Sequence, residues 1–178
     1  MGSLKKPEDA ILFMALAYQP SVTPAWLDAH ILSDFGEIAE KSPTFLFSYS
    51  SYYEAEMGSP LQKFFVYFKG LYSLENVVET KLKAVELEQT YAENGRRVVN
   101  IDPGYITLAK LVLTTTKNYD HRVYLSKGVY ADVQLRYRHG SFQINPWTYP
   151  DYQDGDNLQF FHRARNYLYE LIQCTKAS

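Results

Sequence analysis

The sequence predicts an α+β fold: a ferredoxin-like βαββαβ core, extended by a C-terminal antiparallel sheet and closed by a final helix. Three observations carry this. Ala10 to Ala17 is a continuous apolar run of strand length, which fits a central strand buried on both faces. Two stretches with helical apolar spacing, one after Thr23-Pro24 and one after Ser73, alternate with strand-like runs in the order β-α-β-β-α-β. From residue 103 to 152 the β-type runs are short and separated by turn residues.

Each element has a local reason. Thr23 caps a helix whose first position is Pro24, and that helix buries Leu27, Ile31 and Phe35 before stopping at Gly36. Thr44–Ser48 and Lys63–Lys69 read as strands, separated by residues 52–58 and a Ser59-Pro60 breaker. Ser73 caps a long helix that ends near Asn94-Gly95, with Leu74, Val77, Val78, Leu82 and Val85 on one stripe. Arg97–Ile101 is the next strand and meets a turn at Asp102-Pro103-Gly104. Leu111–Thr116 and Arg122–Leu125 follow as strands. Val129–Arg138 and Phe142–Ile144 make a hairpin around His139-Gly140. Asp156 with Gln159 forms a capping-box pattern before a last helix that buries Phe161, Leu168, Leu171 and Ile172. The reading is one domain, with the core at 10–102, the β extension at 103–152 and the closing helix at 154–175.

The composition bounds function. With 178 residues, 46% hydrophobic and 21% charged, the chain can bury a real core. A net charge of -2 and a pI near 6.1 argue against a general grip on nucleic acid. Cys174 is the only cysteine, which excludes an intrachain disulfide and a cysteine-cluster metal site. No stretch reads as a signal peptide or a membrane span, so a cytoplasmic protein is expected. No phosphate loop, GxGxxG, HExxH, GxSxG or CxxC occurs.

Candidate site residues come from charges in unusual places. Lys81 and Glu88 fall in the apolar stripe of the long helix, and a charge there must be paired or open into a pocket. A lysine that snorkels past the stripe edge is the competing reading. Asn100 and Asp102 share one strand face; catalysis competes there with a purely structural turn. His121 follows Lys117 and precedes Arg122, so a proton carrier would lie between two anion-holding cations; a polar loop with a solvated histidine is the competing reading. Along Val129–Arg138 the residues Tyr130, Asp132, Gln134, Arg136 and Arg138 alternate with apolar neighbours, as on a solvated sheet face or a ligand face. Tyr124 and Trp147 supply aromatic walls. Glu54 and Glu56 point the same way if their segment is extended, and would then either hold a hard cation such as magnesium or face water on an edge.

YYEAEMG (52–58), RRVVNIDPGY (96–105), KLVLTTTKNYDHRVYLSKGVYADV (110–133) and NPWTYPDY (145–152) resemble the prokaryotic family described as domain of unknown function 4416, over nearly the whole chain. The family pattern has Lys-Leu-x-Thr-Asn-x-x-Glu in the long helix. Lys81, Leu82 and Glu88 match it, while Ala84 and Val85 stand in place of Thr-Asn. Asp132 stands where the pattern tends to Glu. The resemblance implies no activity; its occasional GTP-binding label has no phosphate loop here to support it.

The functional expectation is a site for an anionic small molecule, a nucleotide or phosphorylated metabolite, with metal-assisted hydrolase or transferase chemistry. His121, Asp132, Lys81 and Glu88 would carry catalysis. The alternatives are an interaction module that forms a homodimer, and, more weakly, an RNA-binding sheet. The question left open is whether Lys81 and Glu88 point at the strand ends around His121 and Asp132.

Overall fold

The structure, a computed structural model, describes residues 6–48 and 54–177. It is α+β, built on one antiparallel sheet of nine strands. Strand β1 (Ala10–Tyr18) lies at its centre and is buried along its whole length. It pairs with β4 (Leu61–Phe68) on one edge and β5 (Val99–Thr107) on the other. Outside β4 lie β2 (Ile38–Lys41) and β3 (Phe45–Phe47). Outside β5 come β6 (Lys110–Thr115) and then β8 (Val129–Arg138). The far edge of β8 carries β7 (Val123–Ser126) beside its first half and β9 (Ser141–Ile144) beside its second.

The unbroken apolar run of β1 follows from cover on both faces. Leu12, Met14, Leu16 and Tyr18 pack with Leu27 and Ile31, from helix α1 (Pro24–His30) and its end, and with Ala84 of helix α3 (Val77–Thr90). Ile11, Phe13 and Ala15 face Phe160, Phe161, Ala164 and Leu168 of helix α5 (Gly155–Ala177). Two single turns complete the helices, α2 (Glu54–Met57) and α4 (Pro150–Gln153).

Several local expectations are met in kind and corrected in detail. The Thr23 hydroxyl accepts from the Trp26 amide at 3.2 Å, with Pro24 at the first turn. That helix ends at His30, and a 3-10 turn over Leu32–Asp34 carries the chain to Gly36. Strand β2 was not anticipated, because its half-buried Ile-Ala-Glu-Lys shows no alternation. Ser73 caps a 3-10 turn, and α3 then ends at Thr90. Its inward row is Val77, Lys81, Ala84 and Glu88; Val78, Leu82 and Val85 are only half-buried. The last helix is capped by Asp154, whose carboxylate accepts from the Asp156 amide at 3.0 Å, and not by a box at Asp156. His139 and Gly140, both at positive φ, close the β8–β9 hairpin.

The alternation expected along β8 breaks at Gln134. Leu111 opposes Leu135, while the next residue, Val112, opposes Val133. The extra residue on β8 is a bulge, which reverses the faces on either side of it. Two of the five polar residues read as a solvated or ligand face are therefore inside: Asp132 is 1% exposed and Gln134 is 0% exposed, while Tyr130 and Arg136 are half-buried and Arg138 is exposed.

The expected turn at Asp102-Pro103-Gly104 is instead the middle of β5, which runs on to Thr107. Pairing with β6 begins only at Gly104, opposite Leu113. Residues 99–103 pair with β1 alone, while Thr114 and Thr115 pair with β8 alone. The sheet thus splits at Pro103. Proline has no N–H to donate, so it sits here without breaking a ladder. Its carbonyl accepts from the Thr114 hydroxyl at 2.7 Å. Gly104 lies hard against the β6 backbone: a Cβ there would lie 2.2 Å from the Val112 carbonyl oxygen.

Among the described residues no helix is long and apolar enough to cross a membrane. Gly104→Ala is expected to cost at least about 2 kcal/mol, since backbone must move to admit the methyl group. Urea unfolding of the variant checks this: an unchanged midpoint would contradict the close approach.

Candidate functional site

The split leaves backbone groups of β5 without a strand partner, and α3 supplies side chains in its place. The Ile101 amide donates to Glu88 Oε1 at 2.5 Å, and Lys81 Nζ donates to the Ile101 carbonyl at 3.0 Å. One carboxylate and one ammonium therefore stand where the neighbouring peptide groups would be. This accounts for two charges in the inward row of a buried helix. Lys81 Nζ also reaches Asp102 Oδ1 at 3.1 Å, although Asp102 faces the α5 side of the sheet, opposite Ala15. The lysine passes through the gap. Asn100 Nδ2 holds the other Asp102 oxygen at 2.8 Å.

Arg97 closes the near end of this network. Its guanidinium donates to Glu88 at 3.2 Å, to Asn100 Oδ1 at 2.9 Å and, through two nitrogens, to Glu56 at 2.6 and 2.7 Å. Glu56 lies on a helical turn and not on an extended segment. Residues two apart on a helix do not share a face, so the geometry that paired Glu54 with Glu56 does not occur. Glu56 is held by Arg97, and the Glu54 side chain lies outside the described residues. Among the described residues no three of His, Cys, Asp and Glu are grouped to hold a metal.

A second network grows from the bulge. Asp132 accepts from Arg122 Nε and from Gln134 Nε2, both at 2.8 Å, and His121 Nε2 lies 3.5 Å away. Arg122 also donates to the Tyr149 hydroxyl at 2.7 Å and to the Lys117 carbonyl at 3.0 Å. The aromatic loop after β9 is tied down by the same bulge. Trp147 Nε1 and Asn145 Nδ2 donate to the Val133 carbonyl, and the Tyr149 amide donates to Gln134 Oε1.

The two networks meet around a cavity of about 440 Å³ at one end of the sheet. Asn100 and Asp102 form part of its floor; Lys117, Tyr119, His121 and Arg122 of the β6–β7 loop form one wall; Trp147 and Tyr149–Asp151 form another. A smaller space of about 60 Å³ lies in the split itself and touches Lys81, Glu88, Arg97 and Asp132. Asn100, Asp102, Lys117 and Tyr149 border both. Lys81 and Glu88 therefore do point at the strand ends around Asp132, with Asp102 between the two spaces. Of the remaining candidates, Tyr124 and Tyr130 pack on each other at 5.3 Å, and Arg136 reaches the Ile144 carbonyl at 3.4 Å. None of these three borders either space.

Lys63 was not singled out from sequence, and of the aromatic loop that holds Tyr149 and Asp151 only Trp147 was named as a site residue. Lys63 Nζ pairs with Asp151 at 2.6 Å, both nearly fully buried, and sits over the Phe47 ring at 4.7 Å. The signal was present: Lys63 shares a strand face with Phe65 and Tyr67, the same anomaly that marked Lys81. Tyr119, His121 and Trp147 stack in sequence, at 6.1 and 5.1 Å between rings.

Burial opposes ionisation of Asp102, yet Lys81 and Lys63 hold its carboxyl below the ordinary value. For Glu88 burial wins over Lys81 and the Ile101 amide, and its carboxyl is raised. The hydrogen bond from Arg97 lowers Glu56. Burial pushes the Tyr149 hydroxyl up to about 12 despite Arg122.

The family model described as a domain of unknown function (DUF4416) matches residues 8–168, and the chain belongs to that family. No curated protein and no solved structure matches it.

Lys81→Met is expected to cost roughly 3–5 kcal/mol, because it strands Asp102 and the Ile101 carbonyl. Glu88→Gln keeps an acceptor for the Ile101 amide and should cost less than Glu88→Ala, which orphans it for about 1–3 kcal/mol. Equal losses in chemical denaturation would contradict the edge-capping role. The lowered Asp102 and Glu56 give stability that is present above the ordinary carboxylate range and lost as pH falls below about 4. Glu88, being raised, contributes in the opposite sense. Asp102→Asn should therefore flatten the acid limb of a stability–pH curve.

Proposed function

We propose that the cavity of this family member binds a small anionic molecule, a nucleotide or a phosphorylated metabolite. One observation carries the reading: the buried ion pairs Lys63–Asp151 and Arg122–Asp132 and the half-buried pair Lys81–Asp102 converge from separate segments on one cavity. Buried pairs are seldom worth more than a well-packed apolar substitute. Their clustering around empty volume argues for a role in recognition. Lys63, Lys117 and Arg122 all border the cavity, and such groups are suited to meet an anion. His121, beside Asp132, is the group positioned to move a proton should chemistry follow binding.

A second reading has its own support. The sheet edge formed by β7 and β9 exposes Val123, Tyr124, Leu125 and Ile144. An apolar edge of this kind suits pairing with a second copy. We also read β1-α1-β2-β4-α3-β5 as the ferredoxin-like core; the strand order β2-β4-β1-β5 and the packing of α1 and α3 on one face support it.

A thermal-shift panel of nucleotides, sugar phosphates and divalent ions tests the binding reading. A ligand at a hundred times its Kd adds about 2.7 kcal/mol, and Lys117→Gln should abolish the shift. Silence across the panel would count against it. Sedimentation tests the edge: a dimer that Val123→Lys dissociates supports pairing, and a monomer at high concentration removes it.

A further inference from the structure

Of the three ion pairs that converge on the cavity, two are tied into the surrounding structure. Lys81 also holds the Ile101 carbonyl, and Asn100 holds Asp102. Arg122 also holds the Lys117 carbonyl and the Tyr149 hydroxyl, and Gln134 holds Asp132. The third pair differs. Lys63 Nζ meets Asp151 Oδ2 at 2.6 Å, and among the described residues neither side chain makes a hydrogen bond to a third group. The ammonium sits instead among rings, 4.7 Å from Phe47 and 5.5 Å from both Phe65 and Tyr152. The Lys63 side chain is only 8% exposed, and both members of the pair border the cavity.

A tie between the start of β4 and α4 does not by itself explain this pair, since apolar residues of like volume make such a tie as well. Its setting suits chemistry. A lysine amine withdrawn from water into apolar surroundings, beside a group that can take its proton, is a nucleophile toward carbonyl compounds. Asp102, which Lys81 helps to keep ionised, also feels the charge of Lys63. A cation formed at Lys63 therefore has two carboxylates to stabilise it.

We propose that Lys63 forms an imine with an aldehyde or ketone carbonyl of the bound anion. This rests on the anion-binding reading above and assigns the atom that reacts. The Lys63 ammonium passes a proton to Asp151 across the 2.6 Å contact. The amine lone pair attacks the carbonyl carbon, the C=O π pair moves to oxygen, and a nitrogen proton follows it to give a carbinolamine. Asp151 returns its proton to that hydroxyl, which leaves as water while the nitrogen lone pair forms the C=N bond. The product is an iminium ion beside the Asp151 carboxylate, and no further reactant is consumed.

Reductive trapping tests this. The full chain is incubated with cyanoborohydride and glyceraldehyde 3-phosphate, dihydroxyacetone phosphate or pyruvate, and the labelled lysines are mapped by peptide mass spectrometry. Accessibility alone would label Lys6, Lys69 and Lys127 first, their side chains being 88, 51 and 59% exposed, and Lys63 last. With at least one probe Lys63 should instead be labelled at least tenfold faster than any of these three. Asp151→Asn should remove that preference; should the variant melt early, the ranking in the unaltered chain carries the test. Lys63 labelled no faster than the exposed lysines with every probe would overturn the imine, and a ligand found in the thermal-shift panel would then leave anion binding standing. A preference undiminished in a folded Asp151→Asn would overturn the proton transfer. Unphosphorylated glyceraldehyde separates the two readings: labelling Lys63 as fast as its phosphate ester would keep the nucleophile and remove the anion.

Discussion

Everything at the site depends on the parting of β5 from β6 at Pro103. An antiparallel ladder satisfies each strand edge with the next, and a strand left open inside a protein must find other partners. Here the partners are side chains of α3. Glu88 and Lys81 take the amide and carbonyl of Ile101, and Thr114 takes the carbonyl of Pro103. The proline has no amide to be satisfied. Gly104 brings the strands together immediately afterwards. The gap is thus built into the backbone and is not a defect of packing.

Lining the gap with charged groups sets the electrostatics of the larger cavity. Asp102 stays ionised below its ordinary range because Lys81 reaches it through the sheet. On the other side the β8 bulge turns Asp132 and Gln134 inward, where they fasten Arg122 and the Trp147–Tyr149 loop. Two irregularities of one sheet, a split and a bulge, therefore position both halves of the site. A regular nine-stranded sheet would present neither.

Legibility in the sequence followed the range of the interaction involved. Helix periodicity is local, so Lys81 and Glu88 stood out as charges on a buried stripe, and they are buried and paired. The turn reading of Asp102-Pro103-Gly104 failed because Pro-Gly punctuates locally, whereas the strand is held by β1, far away in sequence. The alternation of β8 was plain, but one inserted residue reversed its meaning, and nothing near Gln134 announces the register of β6. Lys63 went unread because a lysine at a strand start looks like a solvated end. Its partner Asp151 lies 88 residues on, a distance no local pattern spans. The family match identified relatives by sequence and left the chemistry to the geometry.

The cavity draws its lining from Ala17 at the end of β1, Lys63 at the start of β4, the opening of β5, the loop after β6 and the residues before α5. No two neighbouring elements suffice to make it. A chain folded only through β5 possesses Asp102 but neither the loop after β6 nor Asp151. Such long-range assembly is completed late in folding, since loop closure must precede the contacts that reward it. The cavity is therefore present in the finished fold and in no partial one.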